Sequence, residues 1–195
     1  MNSIAQVLRV LAGLVVVLLT GLTGTAHAAD LSRAVILVAS ERLTGSPFEE
    51  TVILVAPLAQ GGHVGIVLNR PTEVKLEELF PEQESTHKVI EPVYAGGPML
   101  TGALYAVTRA APADNAAFVP LMPGLVAVMD GATVDKIIAT TPNDARYFVG
   151  LVVWPPEALD NEVQRGAWRV RRADANLVLP ARSTGLWESL GGAEV

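Results

Sequence analysis

The chain contains no cysteine, and that single absence removes disulfides, thiolate nucleophiles and every zinc or iron–sulfur site that needs a thiolate ligand. Histidine is nearly as scarce, with three in 195 residues, and only His63 and His87 lie beyond residue 28. Two isolated imidazoles among scattered carboxylates show no metal-ligand spacing, and no G-x-S-x-G elbow accompanies them. The P-loop and the G-x-G-x-x-G dinucleotide pattern are missing too; Gly61-Gly62-x-x-Gly65 belongs to a hairpin, not to a phosphate cradle. No catalytic residue, metal site or cofactor is therefore assigned, and the chain leans away from being an enzyme. Cations are outnumbered, 14 Lys and Arg against 20 Asp and Glu. That balance opposes nucleic acid and anionic lipid as partners, because polyanion binding is driven by clustered Lys and Arg that release counterions.

What is present is apolar: 50% hydrophobic residues with 17% charged, enough for one substantial core and too little polarity for a disordered chain. Part of it belongs to the N-terminus. Arg9 is followed by an apolar run at 10–19 and then by small residues ending in Ala26-His27-Ala28. This is the pattern of a secretory signal peptide, and the run is shorter than the ~20 apolar residues a bilayer-spanning helix needs. Residues 1–28 are thus expected to be cleaved after Ala28, leaving one domain at 29–195 that is periplasmic or secreted and has no stable membrane span.

The centre of the remaining chain is a hairpin. Two β-branched runs, 51–57 and 64–68, flank the glycine-bearing connector 58–63, which is how a strand, a turn and a returning strand are written. The second strand ends in Asn69-Arg70-Pro71, where Asn can bond nearby backbone, and Pro71 lacks an N–H and holds Arg70 extended. With PFEETVILV and GGHVGIVLNRPT here, and VYAGGPMLTGALYAVTR further on, the chain resembles the YqgE/AlgH family over residues 34–190. That resemblance implies an α+β fold with a strongly curved, mostly antiparallel sheet or partly open barrel and short helices packed outside. It also brings the family's frequent label, transcriptional regulator. Two departures stand out: the family usually lacks an N-terminal export segment, and where it has a tryptophan, a small glycine-containing turn and Gly-Gln-Leu, Trp154 and Leu159 fit but Pro155, Pro156, Glu157 and Ala158 replace the small and amide residues.

The other elements follow from periodicity. Seven or eight strands and three or four short helices are expected. Residues 31–39, 103–109, 124–129 and 147–154 read as strands, 168–172 as a half-buried strand carrying arginines, and 177–179 as a short final one. Residues 72–80 suit an amphipathic helix capped by Thr72, and 134–139 a helix capped by Asp130 or Thr133. Pro155 and Pro156 open a helix to Gln164, and Ser183 or Thr184 caps a last turn. His63 and His87 are read as turn or surface residues, and Phe48 as a loop anchor.

What remains for function is Asn69, Arg70, Pro71 and Thr72 facing Gly96, Gly97 and Pro98. An extended arginine at a strand end can fork onto a carboxylate or phosphate, while a glycine pair lets a ligand or a backbone approach closely. The plain alternative for Arg70 is an internal ion pair with Glu73, Glu77 or Glu78. The reading this supports is a non-enzymatic binding or regulatory module of the cell envelope, presenting these residues to a protein or a small anionic ligand. Its rivals are the transcriptional regulator and an unrecognised hydrolase. The acidic chain shows neither a helix-turn-helix nor a zinc finger to support the first.

Overall fold

In the computed structural model the described residues are 29–109, 117–179 and 184–191. The expected signal segment and the Ser183 cap lie outside them, as does much of the loop expected after residue 109. Nine strands form one sheet: β1 (Val35–Ala39), β2 (Val52–Pro57), β3 (His63–Val67), β4 (Tyr94–Ala95), β5 (Met99–Thr108), β6 (Phe118–Met122), β7 (Leu125–Val128), β8 (Ala145–Trp154) and β9 (Trp168–Arg172). Their spatial order is β6-β7-β5-β8-β3-β2-β1-β9, with β4 attached to β8. Every pairing is antiparallel except that of β4 with β8. The sheet curls into a half barrel, so the fold is α+β as expected.

Curling explains why the strands are apolar on both faces. Ile36, Val38, Leu54, Ile66, Tyr105 and Phe148 point to the concave side and form one core with Val178 and Leu179. On the convex side of β1 to β3, Leu37, Ile53, Val55 and Val67 pack with Trp154 and Trp168 and with Leu159 of α3 (Ala158–Gln164). Elsewhere on the convex side, Ala106, Val128 and Tyr147 are covered by Leu76 of α1 (Leu76–Leu79) and by Val134 and Ile138 of α2 (Gly131–Thr140). A short α4 (Leu186–Ser189) adds Leu186 to the concave core. The alternating residues of each strand thus serve different cores, and continuous rather than alternating hydrophobicity results.

Several local expectations change. Thr72 does not cap a helix; its hydroxyl donates to the Val93 carbonyl at 2.7 Å, and α1 starts only at Leu76. Pro155 and Pro156 precede α3 rather than open it, and Glu157, at φ 67°, turns the chain into the helix. The strand expected at 177–179 is a 3-10 turn, Ala175–Leu177, because Val178 and Leu179 are drawn into the concave core. His63 is buried, not at the surface: the register Pro57↔His63 places it in β3, and its Nε2 lies 3.0 Å from the Leu31 carbonyl. A carbonyl only accepts, so Nε2 carries the proton. Phe48 does anchor its loop, edge-on to Trp168 with centroids 5.9 Å apart.

The cap of α2 is Asp130. Its Oδ2 accepts the Thr133 hydroxyl at 2.6 Å and the Thr133 N–H at 2.8 Å. Those two bonds, the hydroxyl first, hold the carboxyl below its ordinary 3.8. A carboxyl depressed in the fold contributes stability above its unfolded pKa and loses it as pH falls through the folded value. The protection of the Val134 and Ile138 amides, relative to their intrinsic exchange rates, is therefore expected to fall on acidification below 3.8, and Asp130→Ala to remove that acid-dependent component.

Candidate functional site

The hairpin carries the residues after β3 between the 49–52 segment and the 93–95 segment. Asn69 is fully used by the backbone opposite: its Oδ1 accepts from the Val52 N–H at 2.9 Å and its Nδ2 donates to the Glu50 carbonyl at 2.8 Å. That grip holds Glu50 at φ 54°, a left-handed conformation that a side chain-bearing residue adopts only under constraint. Arg70 is exposed, and its Nη2 donates to the Glu49 carbonyl at 3.2 Å. The Glu49 carboxylate is turned away, accepting from the Gly45 N–H at 3.0 Å.

Among the described residues no carboxylate lies within ion-pair distance of Arg70. The expected internal pair is therefore not formed. Glu77 is taken by His87 at 2.7 Å and Lys75 at 3.7 Å, and Glu78 accepts from the Lys75 N–H. The His87 contact comes first among the causes that lower the Glu77 pKa.

The glycine segment does stand beside this turn. The Arg70 carbonyl accepts from the Ala95 N–H at 2.9 Å, Pro71 bridges to Tyr94, and the Val67 N–H donates to the Gly96 carbonyl at 2.9 Å. At Tyr94–Ala95 the chain runs parallel to β8, yet by Met99 it is paired antiparallel with Leu151. It reverses directly against the β8 backbone. A Cβ on Gly97 would sit 2.3 Å from the Leu151 carbonyl carbon, and one on Gly150 2.0 Å from the Gly97 oxygen. Backbone packing against backbone accounts for the glycines without a ligand. Of the seven residues singled out, Asn69, Thr72, Gly96 and Gly97 build the turn, Pro71 and Pro98 are exposed, and Arg70 carries the spare donors.

Beneath them lies a residue that periodicity did not flag. Arg146, on β8 and 1% exposed, donates from Nη2 to the Leu68 carbonyl at 2.9 Å and from Nη1 to the Val178 carbonyl at 3.1 Å. Its guanidinium carbon stands 3.9 Å over the Tyr94 ring centroid and 5.3 Å from that of Phe148. The Tyr94 hydroxyl donates to the Glu91 carboxylate at 2.6 Å. Burial pushes the guanidinium below its ordinary pKa, opposed by Tyr94 and Glu91. The available signal was parity: Arg146 shares the concave face with Phe148, two residues on.

Elsewhere the chemistry is sparse. Among the described residues no cluster of three or more metal-capable side chains is found, and no helix is long and apolar enough to cross a membrane. Arg171 and Arg172 of β9 line a groove with Met122 and Trp168, between the two edge strands of the sheet.

Comparison with known proteins decides the family. The AlgH-like (DUF179) family profile matches residues 36–192. The chain belongs to the AlgH-like family. Among its AlgH-like relatives it is 32% identical over 151 residues to a UPF0301 protein of Rhodococcus jostii, covering 75% of each chain. It is 30% identical over 166 residues to a UPF0301 protein of Mycobacterium leprae, covering 83% of this chain and 82% of the other. The solution structure of the AlgH protein from Pseudomonas aeruginosa superposes with a TM-score of 0.69 at 20% identity, over 83% of this chain and 87% of that one. A crystal structure of a Corynebacterium diphtheriae protein gives 0.66 at 23%, over 86% and 89%. These two likenesses establish the AlgH-like fold.

Proposed function

We propose that this AlgH-like chain is a non-enzymatic binding or regulatory module of the bacterial cell envelope that takes a small anionic ligand at Arg70. The observation that carries the reading is Arg70 itself: an exposed guanidinium, tethered through one Nη2 bond to the Glu49 carbonyl and free of any carboxylate partner among the described residues. An arginine aimed in this way keeps donors available for the planar, two-pronged recognition of an oxyanion. The envelope assignment rests on the export pattern of residues 1–28, where a lone cation precedes an apolar run and Ala26-His27-Ala28.

Titration of the purified protein with inorganic phosphate, followed by amide chemical shifts, tests the site. Saturable shifts at Arg70, Ala95 and Gly96 are expected, and Arg70→Gln is expected to weaken them at least tenfold while leaving the urea midpoint unchanged. Identical titration curves for the two proteins would remove the site. Location is tested separately by intact mass and cell fractionation, with cleavage after Ala28 and periplasmic recovery expected. A full-length cytoplasmic chain would overturn the envelope assignment.

A further inference from the structure

We infer that Arg146 is a second, buried positive charge serving the Arg70 anion site, retained for the ligand rather than for the fold; this rests on the reading of Arg70 just given. Taking a guanidinium out of water is costly, and proteins ordinarily offset the cost with a contacting carboxylate. None lies within ion-pair distance of Arg146 among the described residues. Its compensation is two backbone carbonyls and two aromatic faces, and its buried Nε has no hydrogen-bond partner. The nearby negative charge is Glu91, which acts on the guanidinium through space and holds the Tyr94 hydroxyl.

The position of this charge is informative. Nη2 holds the Leu68 carbonyl, two residues before Arg70, and the guanidinium stacks on Tyr94, next to the Ala95 N–H that bonds the Arg70 carbonyl. Arg146 is thus tied to both backbone segments that form the site, roughly 10 Å or less from the Arg70 backbone. Two cations on one turn repel one another while the site is empty, and a bound anion relieves the repulsion. Arg146 is buried, so its field is screened less than that of a surface charge.

A purely structural Arg146 would be a bolt between Leu68 and Val178, with no effect on ligand charge. The same phosphate titration separates the two roles. Arg146→Met preserves the length and apolar volume without the charge, and is expected to lower phosphate affinity about fivefold, with Arg146→Lys restoring most of it. Glu91→Gln keeps an acceptor for the Tyr94 hydroxyl but deletes the opposing negative charge, and is expected to tighten phosphate binding about threefold. That gain is expected of any anion site beside Glu91; the role of Arg146 itself is read from a folded Arg146→Met, where a bolt would leave phosphate affinity unchanged.

Wild-type affinity in Glu91→Gln overturns the inference, whether or not Arg146→Met folds, and so does wild-type affinity in a folded Arg146→Met. If the wild-type protein shows no phosphate-dependent shifts at all, the Arg70 reading fails and this one with it. Binding that depends on Arg70 but ignores Glu91 and Arg146 leaves the former standing and removes only the latter.

Discussion

Gly150→Ala is expected to destabilise the protein by about 3 kcal/mol or more, from two mechanisms that add. Gly150 sits at φ 73° in the middle of β8, where an L side chain is strained whatever the space. The added methyl also has nowhere to go: it would fall 2.0 Å from the Gly97 oxygen and 3.3 Å from the Met99 oxygen. The clashing atoms are backbone, so no side-chain rotation relieves the contact. Relief requires the turn between β4 and β5 to lift from β8, which would break the Gly96 N–H bond to Val149. Gly102→Ala is the control, since no atom lies within 4 Å of a Cβ there, and it is expected to move stability by less than about 0.5 kcal/mol. Urea unfolding of the pair measures both. Equal midpoints would mean that β8 tolerates the methyl and that the glycine turn is looser than described.

Glu162→Ala is the second large effect. A single oxygen, Glu162 Oε2, accepts the indole N–H of Trp154 at 3.1 Å and that of Trp168 at 2.7 Å. The two rings meet edge to face at 6.5 Å, and both are buried. Removing the carboxylate leaves two buried donors without their acceptor at the point where α3 closes over the convex core. Bonds to a charged acceptor contribute more than neutral ones, and an orphaned buried donor costs its full desolvation, so a loss of about 2–4 kcal/mol is expected. Glu162→Gln retains a carbonyl oxygen and should lose about half as much. Unfolding in urea gives the energies, and a red shift of tryptophan emission in the native Ala variant reports water at the indoles. An unchanged midpoint would show that apolar packing alone holds α3.

Much of this fold was legible in the chain, for reasons that are local. The central hairpin could be read because two apolar runs bracket a glycine-bearing connector, and β2 and β3 fall there. Strands with no polar face foretold cores on both sides of the sheet, which curling supplies. Asp130 was readable as a cap because it stands three residues before the Thr133 N–H it accepts. Long-range features were not legible. The two-residue β4 exists because the chain must lie against β8 before turning into β5, and nothing within Tyr94-Ala95 announces a parallel pairing with residues more than fifty positions later. His63 looked like a turn residue beside Gly61 and Gly62 until Leu31 covered it.

The candidate site divides along the same line. Asn69 and the glycines attract notice in the sequence, and their partners prove to be backbone atoms. Arg70 stood out because Pro71 follows it, but whether a carboxylate reached it depended on where Glu77 and Glu78 turned. Arg146 stands just before the strand expected at 147–154, and its partners Leu68, Tyr94 and Val178 come from three separate parts of the chain.

The place of β8 in the order of synthesis has a further consequence. It is the strand that joins the two halves of the sheet, touching β3, β4 and β5, yet it begins only at Ala145. The β1 edge waits longer still, for Trp168 to Arg172. A chain emerging from the ribosome can close its first hairpin but can neither join the halves nor seat the glycine turn until three quarters of it has been made. High sequence separation between paired strands slows folding. Completion therefore falls late: hairpins can close as they emerge, but the two halves of the sheet become one body only when the last quarter of the chain has been made.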